Sequence, residues 1–392
     1  MHTRLANLSI SLLLFVTACT AKPLLSVTSA DQSPEATSLF NWHQASIASG
    51  FSGLALVVQD DNILLKQAYG LADYEAGRAF TTETVFDTGS VTKQFTSAAI
   101  LTLQQQGLLS VQDTLAQFFH DVPADKAGIS LHQLLTHSAG LVDNLKGGDY
   151  SAVSRQQFLQ QLFASKLHSA PGTEFAYSNA GYGLLGLVIE QVSGQSYEAY
   201  LQQWLFQPAG MQYTGYVQPK WQPEQLAVGY YQDRRWFQRL RHGLSKNELP
   251  ARRWGSPLDH SWAEDGPWWN LHANGGLLSS LDDLYLWYQA LQSDKILNDE
   301  QRSLLFTPHQ ATTRPGLYYG YGWIIDNSNP DDGTVIRHGG SNGLFTMDFR
   351  IQRQAEQQLL LLWMTNYSDQ FFSQNRDALL HAVPFDHLKK HK

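Results

Sequence analysis

In the stretch FDTGSVTKQF, residues 86 to 95, Ser90 stands three residues before Lys93 at the head of an apolar run, and no other serine in the chain has a lysine at that spacing. Residues three apart on a helix share a face, so the amine can sit beside the hydroxyl. A serine hydroxyl is a weak nucleophile at neutral pH, and a desolvated lysine with a lowered pKa can take its proton or stabilise the alkoxide. A helix start adds N–H donors and a positive dipole end near the developing charge. By itself the pair is also what a polar helix start looks like, so its meaning depends on what surrounds it.

Two further constellations are candidates for those surroundings. Tyr177-Ser178-Asn179 lies in PGTEFAYSNAGYGLLG, where Pro171-Gly172 makes a turn and an apolar helix follows. Side chains in such a loop are presented to a cleft. A phenol held near cations loses its proton more readily and can act as general base and acid, and Asn179 can orient a substrate amide. The alternative is a packed tyrosine followed by an asparagine cap. His338-Gly339-Gly340, in TVIRHGGSNGLFTMDF, adjoins an expected strand. Its glycines allow close approach of a ligand, and the N–H of Ser341 together with that of Ser90 would make a pair of oxyanion donors. A plain glycine bend between strands is the other reading.

These groups are far apart in sequence, so the fold must gather them. Strand patterns lie at opposite ends of the chain: FSGLALVVQDDNILLKQAYGLAD (51 to 73) reads as a hairpin around Asp60-Asp61-Asn62, and the region from Tyr319 to Asp369 gives three or four more strands. Within it LLLLWM (359 to 364) lacks polar alternation, as a central strand covered on both faces requires. Between the two regions the pattern is helical. VTKQFTSAAILTLQQQGLL is apolar on several faces with Gly107 placed to end it; GYGLLGLVIEQVSGQSYEAYLQQWLFQP holds two segments broken at Ser193-Gly194 and stopped by Pro208; SSLDDLYLWYQAL opens with a Ser-x-x-Asp start. The expected class is α+β: an antiparallel sheet built from both chain ends (about 39–88 and 316–384), flanked by helices, with a mainly helical part (about 89–315) inserted and the site at their junction.

The three motifs, in this order, resemble those of the serine β-lactamase and penicillin-binding-protein superfamily, in the branch of class C β-lactamases, D-alanyl-D-alanine carboxypeptidases, D-aminopeptidases and esterases. Ser-Val-Thr-Lys at 90 to 93 matches Ser-x-x-Lys, Tyr177-Ser178-Asn179 matches Tyr-x-Asn, and His338-Gly339-Gly340 stands where Lys-Thr-Gly is common. LHQLLTHSAGL, FQPAGMQYT and GGLLSSLDDL match as well, and the resemblance runs from about Phe40 to Asn366. It implies acyl transfer through Ser90, with Lys93 and Tyr177 managing protons and Asn179, His338, Gly339, Gly340 and Ser341 contacting substrate. His137, in LLTHSAG, is read as a structural hydrogen-bonding histidine. Histidine in place of lysine removes a full positive charge, since an unperturbed imidazole is mostly neutral at pH 7. Antibiotic turnover therefore ranks behind cleavage of a D-amino-acid peptide or a small ester. A silent family member that binds peptidoglycan or a protein is the competing class.

The N-terminus, MHTRLANLSISLLLFVTACTAK, has the form of an export signal too short to span a membrane. Val16-Thr17-Ala18-Cys19 resembles the bacterial lipobox, with Cys19, the sole cysteine, as the acylation point; cleavage near Ala21 is the alternative. The implied organisation is a signal at 1–18, a tether at 19–38, the hydrolase domain at 39–384 and a tail at 385–392, in a periplasmic or cell-surface protein held on a membrane by lipid. A net charge of −8 without a basic run argues against nucleic acid. No histidine spacing such as His-Glu-x-x-His is present, so neither metal nor cofactor is expected. From Val217 to Asn270 the chain concentrates Trp221, Trp236, Trp254, Trp262, Trp268 and Trp269 with Arg234, Arg235, Arg239, Arg241, Arg252 and Arg253. These rings either stack on a bulky substrate or partner, or pack an irregular loop onto the helical part.

Overall fold

The computed structural model describes residues 24–25, 34–232, 251–260, 262, 266–367 and 370–383. The expected signal, Cys19, most of the tether and the tail lie outside the described residues, as do Trp236 and Arg234, Arg235, Arg239 and Arg241.

Among the described residues one antiparallel sheet of nine strands draws on both chain ends. Its members are β1 (Leu24–Leu25), β2 (Gly53–Gln59), β3 (Asn62–Tyr69), β4 (Gln310–Ala311), β5 (Leu317–Tyr319), β6 (Ile324–Asp326), β7 (Thr334–Ser341), β8 (Thr346–Gln354) and β9 (Gln357–Thr365). They lie in the order β1-β3-β2-β9-β8-β7-β6-β5-β4. β2 and β3 are the hairpin read at Asp60-Asp61, where both residues take positive φ (46° and 66°), as the twist of a two-residue connection demands.

β9 is the central strand that LLLLWM announced, paired with β8 on one side and β2 on the other. Its side chains alternate between two cores. Leu359, Leu361 and Trp363 meet Leu39 and Trp42 of helix α1 (Pro34–Ser49) and Leu379 of the last helix. Leu360, Leu362 and Met364 face the opposite core with Phe95 and Ile100 of α2 (Thr92–Gln105). Removing one such side chain to Ala typically costs about 2–5 kcal/mol, because the cavity collapses only partly.

α2 is buried from Thr92 to Leu103, and Gly107 follows at φ 72°, the left-handed turn that ends helices. It packs on α3 (Asn179–Ser193), whose start is fixed by Ser178 Oγ accepting from the Gly181 N–H and whose end is fixed by Gly194 at φ 69°. α4 (Leu281–Leu291) begins at Ser280, which accepts from the Asp283 N–H. Pro208 does not stop the segment after α3, contrary to expectation. It occupies the first positions of a further turn, Gln207–Ala209, where a missing N–H matters least, and Gly210 at φ 81° ends the run instead.

Two close approaches bring the sheet to the head of α2. Gly322, in the connection between β5 and β6, has φ 76°, and a Cβ there would lie 2.6 Å from the Lys93 carbonyl oxygen. Gly89 has φ 52°, and a Cβ on it would lie 2.5 Å from Ser341 N at the end of β7. Glycine is what lets backbone meet backbone at both points.

Candidate active site

Ser90 sits in the single turn Gly89–Val91 that leads into α2, half-buried, with Lys93 fully buried one turn on. Lys93 Nζ lies 3.2 Å from Ser90 Oγ, 2.7 Å from Asn179 Oδ1 and 2.6 Å from the Asn274 carbonyl oxygen. The rings of Tyr177 and Tyr182 flank it, with centroids 4.9 and 5.5 Å away. Burial pulls its pKa from 10.5 down to about 7, against the opposing fields of the Asp143 and Asp149 carboxylates. A substantial neutral fraction is therefore present at neutral pH, and the neutral amine can accept the Ser90 proton.

The Tyr177 phenol lies close enough to the Ser90 hydroxyl to be influenced by it, so Ser90 has a lysine and a tyrosine beside it. Burial pushes the Tyr177 pKa up, which corrects the expectation of an easily ionised phenol. Desolvation of a phenolate outweighs the opposing influence of the Ser90 hydroxyl, and the Asp143 carboxylate adds to the rise. Tyr177 is thus a protonated group that can donate or relay, and Lys93 is the group poised near neutrality.

Two buried histidines lie near Tyr177. His137, a non-glycine residue at φ 56°, packs against the Tyr177 ring, tilted by 39° with centroids 4.2 Å apart, and its Nδ1 accepts from the Ser178 N–H at 3.1 Å. Burial keeps it neutral. That is the structural role read for it in LLTHSAG. His338 is only 3% exposed: Nδ1 donates to the Gly339 carbonyl at 2.7 Å and Nε2 accepts from the Tyr319 hydroxyl at 2.9 Å. Burial and the nearby Lys93 amine pull its pKa down to about 3, leaving it neutral. The expectation that His338 itself meets substrate is corrected accordingly, since both ring nitrogens are engaged and the ring lies 6.4 Å from that of Tyr177, centroid to centroid.

The end of β7 forms the opposite wall. Gly339 and Ser341 are exposed, whereas Gly340 is pressed against the Ser90 turn, where a Cβ would lie 3.2 Å from Ser90 N. With Ser341 N beside Gly89 and Ser90 N beside Gly340, the backbone nitrogens of Ser90 and Ser341 sit in one neighbourhood where the end of β7 meets the Ser90 turn. Such a corner can hold a developing oxyanion. Asn179, besides receiving Lys93, donates from Nδ2 to Asp143 Oδ1 (3.1 Å) and Asn144 Oδ1 (3.0 Å). A recess of about 350 Å³ opens beside it, lined by Asn144, Leu145, Gly147, Gly148, Asp149, Asn179 and Asn270.

Several participants carried no readable signal: Asn274, which contributes only a carbonyl; Asp143 and Asp149; and Asp87, Tyr150 and Asn342, which meet beside the Ser90 turn. Asp87 lies within the stretch that drew attention to Ser90, yet nothing in its spacing marks it. In the tryptophan-rich stretch, Trp262 packs on Tyr216 (5.6 Å), Trp269 on His272 (4.4 Å), and Trp221 is buried, so these rings serve packing. Trp254 stacks on His260 at 4.0 Å and approaches Tyr150 at 5.2 Å. Arg253 reaches Asp73 and Glu75 at the surface and not the recess. Among the described residues no three His, Cys, Asp or Glu gather as metal ligands, and no helix is long and apolar enough to cross a membrane.

A family profile described as Beta-lactamase matches residues 42–383. The chain belongs to the Beta-lactamase family. Penicillin-binding protein 4* of Bacillus subtilis (strain 168) is 26% identical over 352 residues, covering 86% of this chain and 74% of that protein. The chain spans only 62% and 54% of the two curated relatives that follow it. The D-amino acid amidase of Ochrobactrum anthropi SV3, solved with D-phenylalanine, superposes with a TM-score of 0.70 at 22% identity, covering 90% of this chain and 99% of its own. EstCE1, a hydrolase with promiscuous acyltransferase activity, superposes with a TM-score of 0.69 at 23% identity, covering 88% of this chain and 98% of its own. At these identities the two structures speak for the shared fold, the sheet-and-helix arrangement of β-lactamases and transpeptidases.

Proposed function

We propose that this chain is an exported, lipid-anchored serine hydrolase that forms an acyl-enzyme at Ser90. The observation that carries the reading is the Ser90 hydroxyl 3.2 Å from the Lys93 amine and near the Tyr177 phenol, with the backbone nitrogens of Ser90 and Ser341 close by. Neutral Lys93 takes the Ser90 proton as Oγ bonds to the substrate carbonyl carbon, and the resulting oxyanion lies against the two amides. The carbon–nitrogen or carbon–oxygen bond then breaks. The leaving amine or alcohol takes a proton from Lys93, relayed through the Tyr177 hydroxyl. Water repeats the sequence on the ester, giving its proton to Lys93, and the acid leaves as Ser90 regains its own.

The charge of the site bears on substrate. With His338 neutral and buried, no fixed cation among the described residues stands where a peptide carboxylate would need one, while Asp149 lines the recess and Asp143 adjoins it. This favours an aminoacyl amide or ester with a free ammonium, or an uncharged ester, over a substrate with a terminal carboxylate, and it ranks β-lactamase activity last. A fluorophosphonate probe should label the native protein stoichiometrically and Ser90→Ala not at all. A native protein that takes no label would favour the silent, binding member of the family. Mass spectrometry of the mature N-terminus in the native host tests the anchor: an unprocessed Met1 would remove it.

A further inference from the structure

Asp87 takes no part in the proton transfers above, yet it is 2% exposed and ends the short strand Phe86–Asp87, paired to Leu278–Ser279, three residues before the nucleophile. Its Oδ1 accepts from the Gly89 N–H at 2.7 Å. Its Oδ2 accepts from Asn342 Nδ2 at 2.8 Å and from the Tyr150 hydroxyl at 3.4 Å. Asn342 in turn accepts on Oδ1 from the N–H groups of Leu344 (2.9 Å) and Phe345 (2.8 Å), which fixes the turn that follows β7. No cation pairs with Asp87 among the described residues, where hydrogen bonds hold this buried carboxylate. Gly89 and Asn342 are the immediate neighbours of Ser90 and Ser341.

We propose that Asp87 is a positioning residue for acyl transfer: one carboxylate oxygen fixes the turn that carries Ser90, the other fixes the end of β7, and together they set the gap between the two oxyanion amides. The inference rests on the acyl-enzyme reading of Ser90. The ionised carboxylate accepts fully on both sides, whereas protonation puts an O–H on one of them and weakens its hold there. Burial pushes its pKa up to about 6, with the Asp149 carboxylate adding to the rise and the hydrogen bonds from Gly89, Asn342 and Tyr150 opposing it. The titratable groups facing it are Asp149 and Tyr150 from the loop over the recess and Tyr216 from the helical part, and both phenols stay neutral. Below about pH 6 one acceptor is weakened and the gap is less firmly fixed.

The test is a donor–acceptor swap. Asp87→Asn keeps the shape but turns an N–H₂ toward a donor, and is expected to lower kcat about 10²-fold, the scale of a lost oxyanion donor, with KM within about two-fold. In the double variant Asp87→Asn with Asn342→Asp, the new amide donates to the new carboxylate and still accepts from Gly89, so most of kcat should return. The native protein should show log(kcat/KM) falling with slope one from about pH 7, where Lys93 gains its proton, and slope two below about pH 6; Asp87→Asn should keep slope one. Unchanged kcat in Asp87→Asn, no recovery in a folded swap variant, or slope one throughout in the native protein overturns the proposal while leaving labelled Ser90 as nucleophile. Absence of label on the native protein removes the acyl-enzyme reading and the positioning role with it. If neither variant folds, slope one throughout in the native protein still overturns the proposal.

Discussion

Replacing Lys93 by Met keeps a flexible stem of similar length and removes the amine, which separates what the group does for catalysis from what it does to stability. Loss of a positioned proton-transfer group is expected to lower kcat/KM by 10²–10⁴, or about 3–5 kcal/mol at the transition state. The effect on folding follows from the fall in pKa from 10.5 to about 7 on burial. Between those values the unfolded chain binds a proton that the folded chain does not, so native stability rises with pH across this window. The shift of 10.5 to about 7 corresponds to roughly 5 kcal/mol at 1.36 kcal/mol per unit, fully set against folding below pH 7 and relieved above pH 10.5. Lys93→Met should lose that dependence, while its two abandoned acceptors, Asn179 Oδ1 and the Asn274 carbonyl, cost about 1–3 kcal/mol each. Urea denaturation at several pH values from 6.5 to 10, run beside kinetics on an activated ester, reads both. If stability of the native protein did not climb relative to the variant, or if the variant kept more than a tenth of native turnover, the account of a desolvated base at Lys93 would be refuted.

Other outcomes follow from particular contacts. Gly322→Ala should lower both the thermal midpoint and kcat, because a Cβ at φ 76° meets the Lys93 carbonyl 2.6 Å away; an unchanged midpoint would mean that the loop yields freely. Ser178→Ala removes the cap of α3 and should cost about 1 kcal/mol in chemical denaturation, with a larger proportional loss of kcat because Tyr177 precedes the cap. Asp149→Asn should erase any preference for a D-aminoacyl ester over its N-acetylated counterpart; equal preference in both proteins would show that the recess does not receive the ammonium.

The strand pattern was legible because burial on two faces leaves no room for polar residues: LLLLWM could only be central, and the Asp60-Asp61 turn could only join neighbours in sequence. Ser90 and Lys93 were legible for a similar reason, since helical periodicity places residues three apart side by side whatever the rest of the chain does. The end of the run at Gly210 in place of Pro208 was not, because a proline is tolerated wherever a new turn starts.

The sequence by itself determined the local geometry and the identity of the reacting groups, through short-range spacing and the chemistry of hydroxyl, amine and phenol. Only the tertiary structure decided their protonation and company. Desolvation set Lys93 near neutrality, kept Tyr177 protonated and silenced His338, and the approach of β7 to Gly89 placed Asp87 and Asn342 in one contact across 255 residues of chain. Burial depth and long-range contact are properties of the packed whole, and no window of residues carries them.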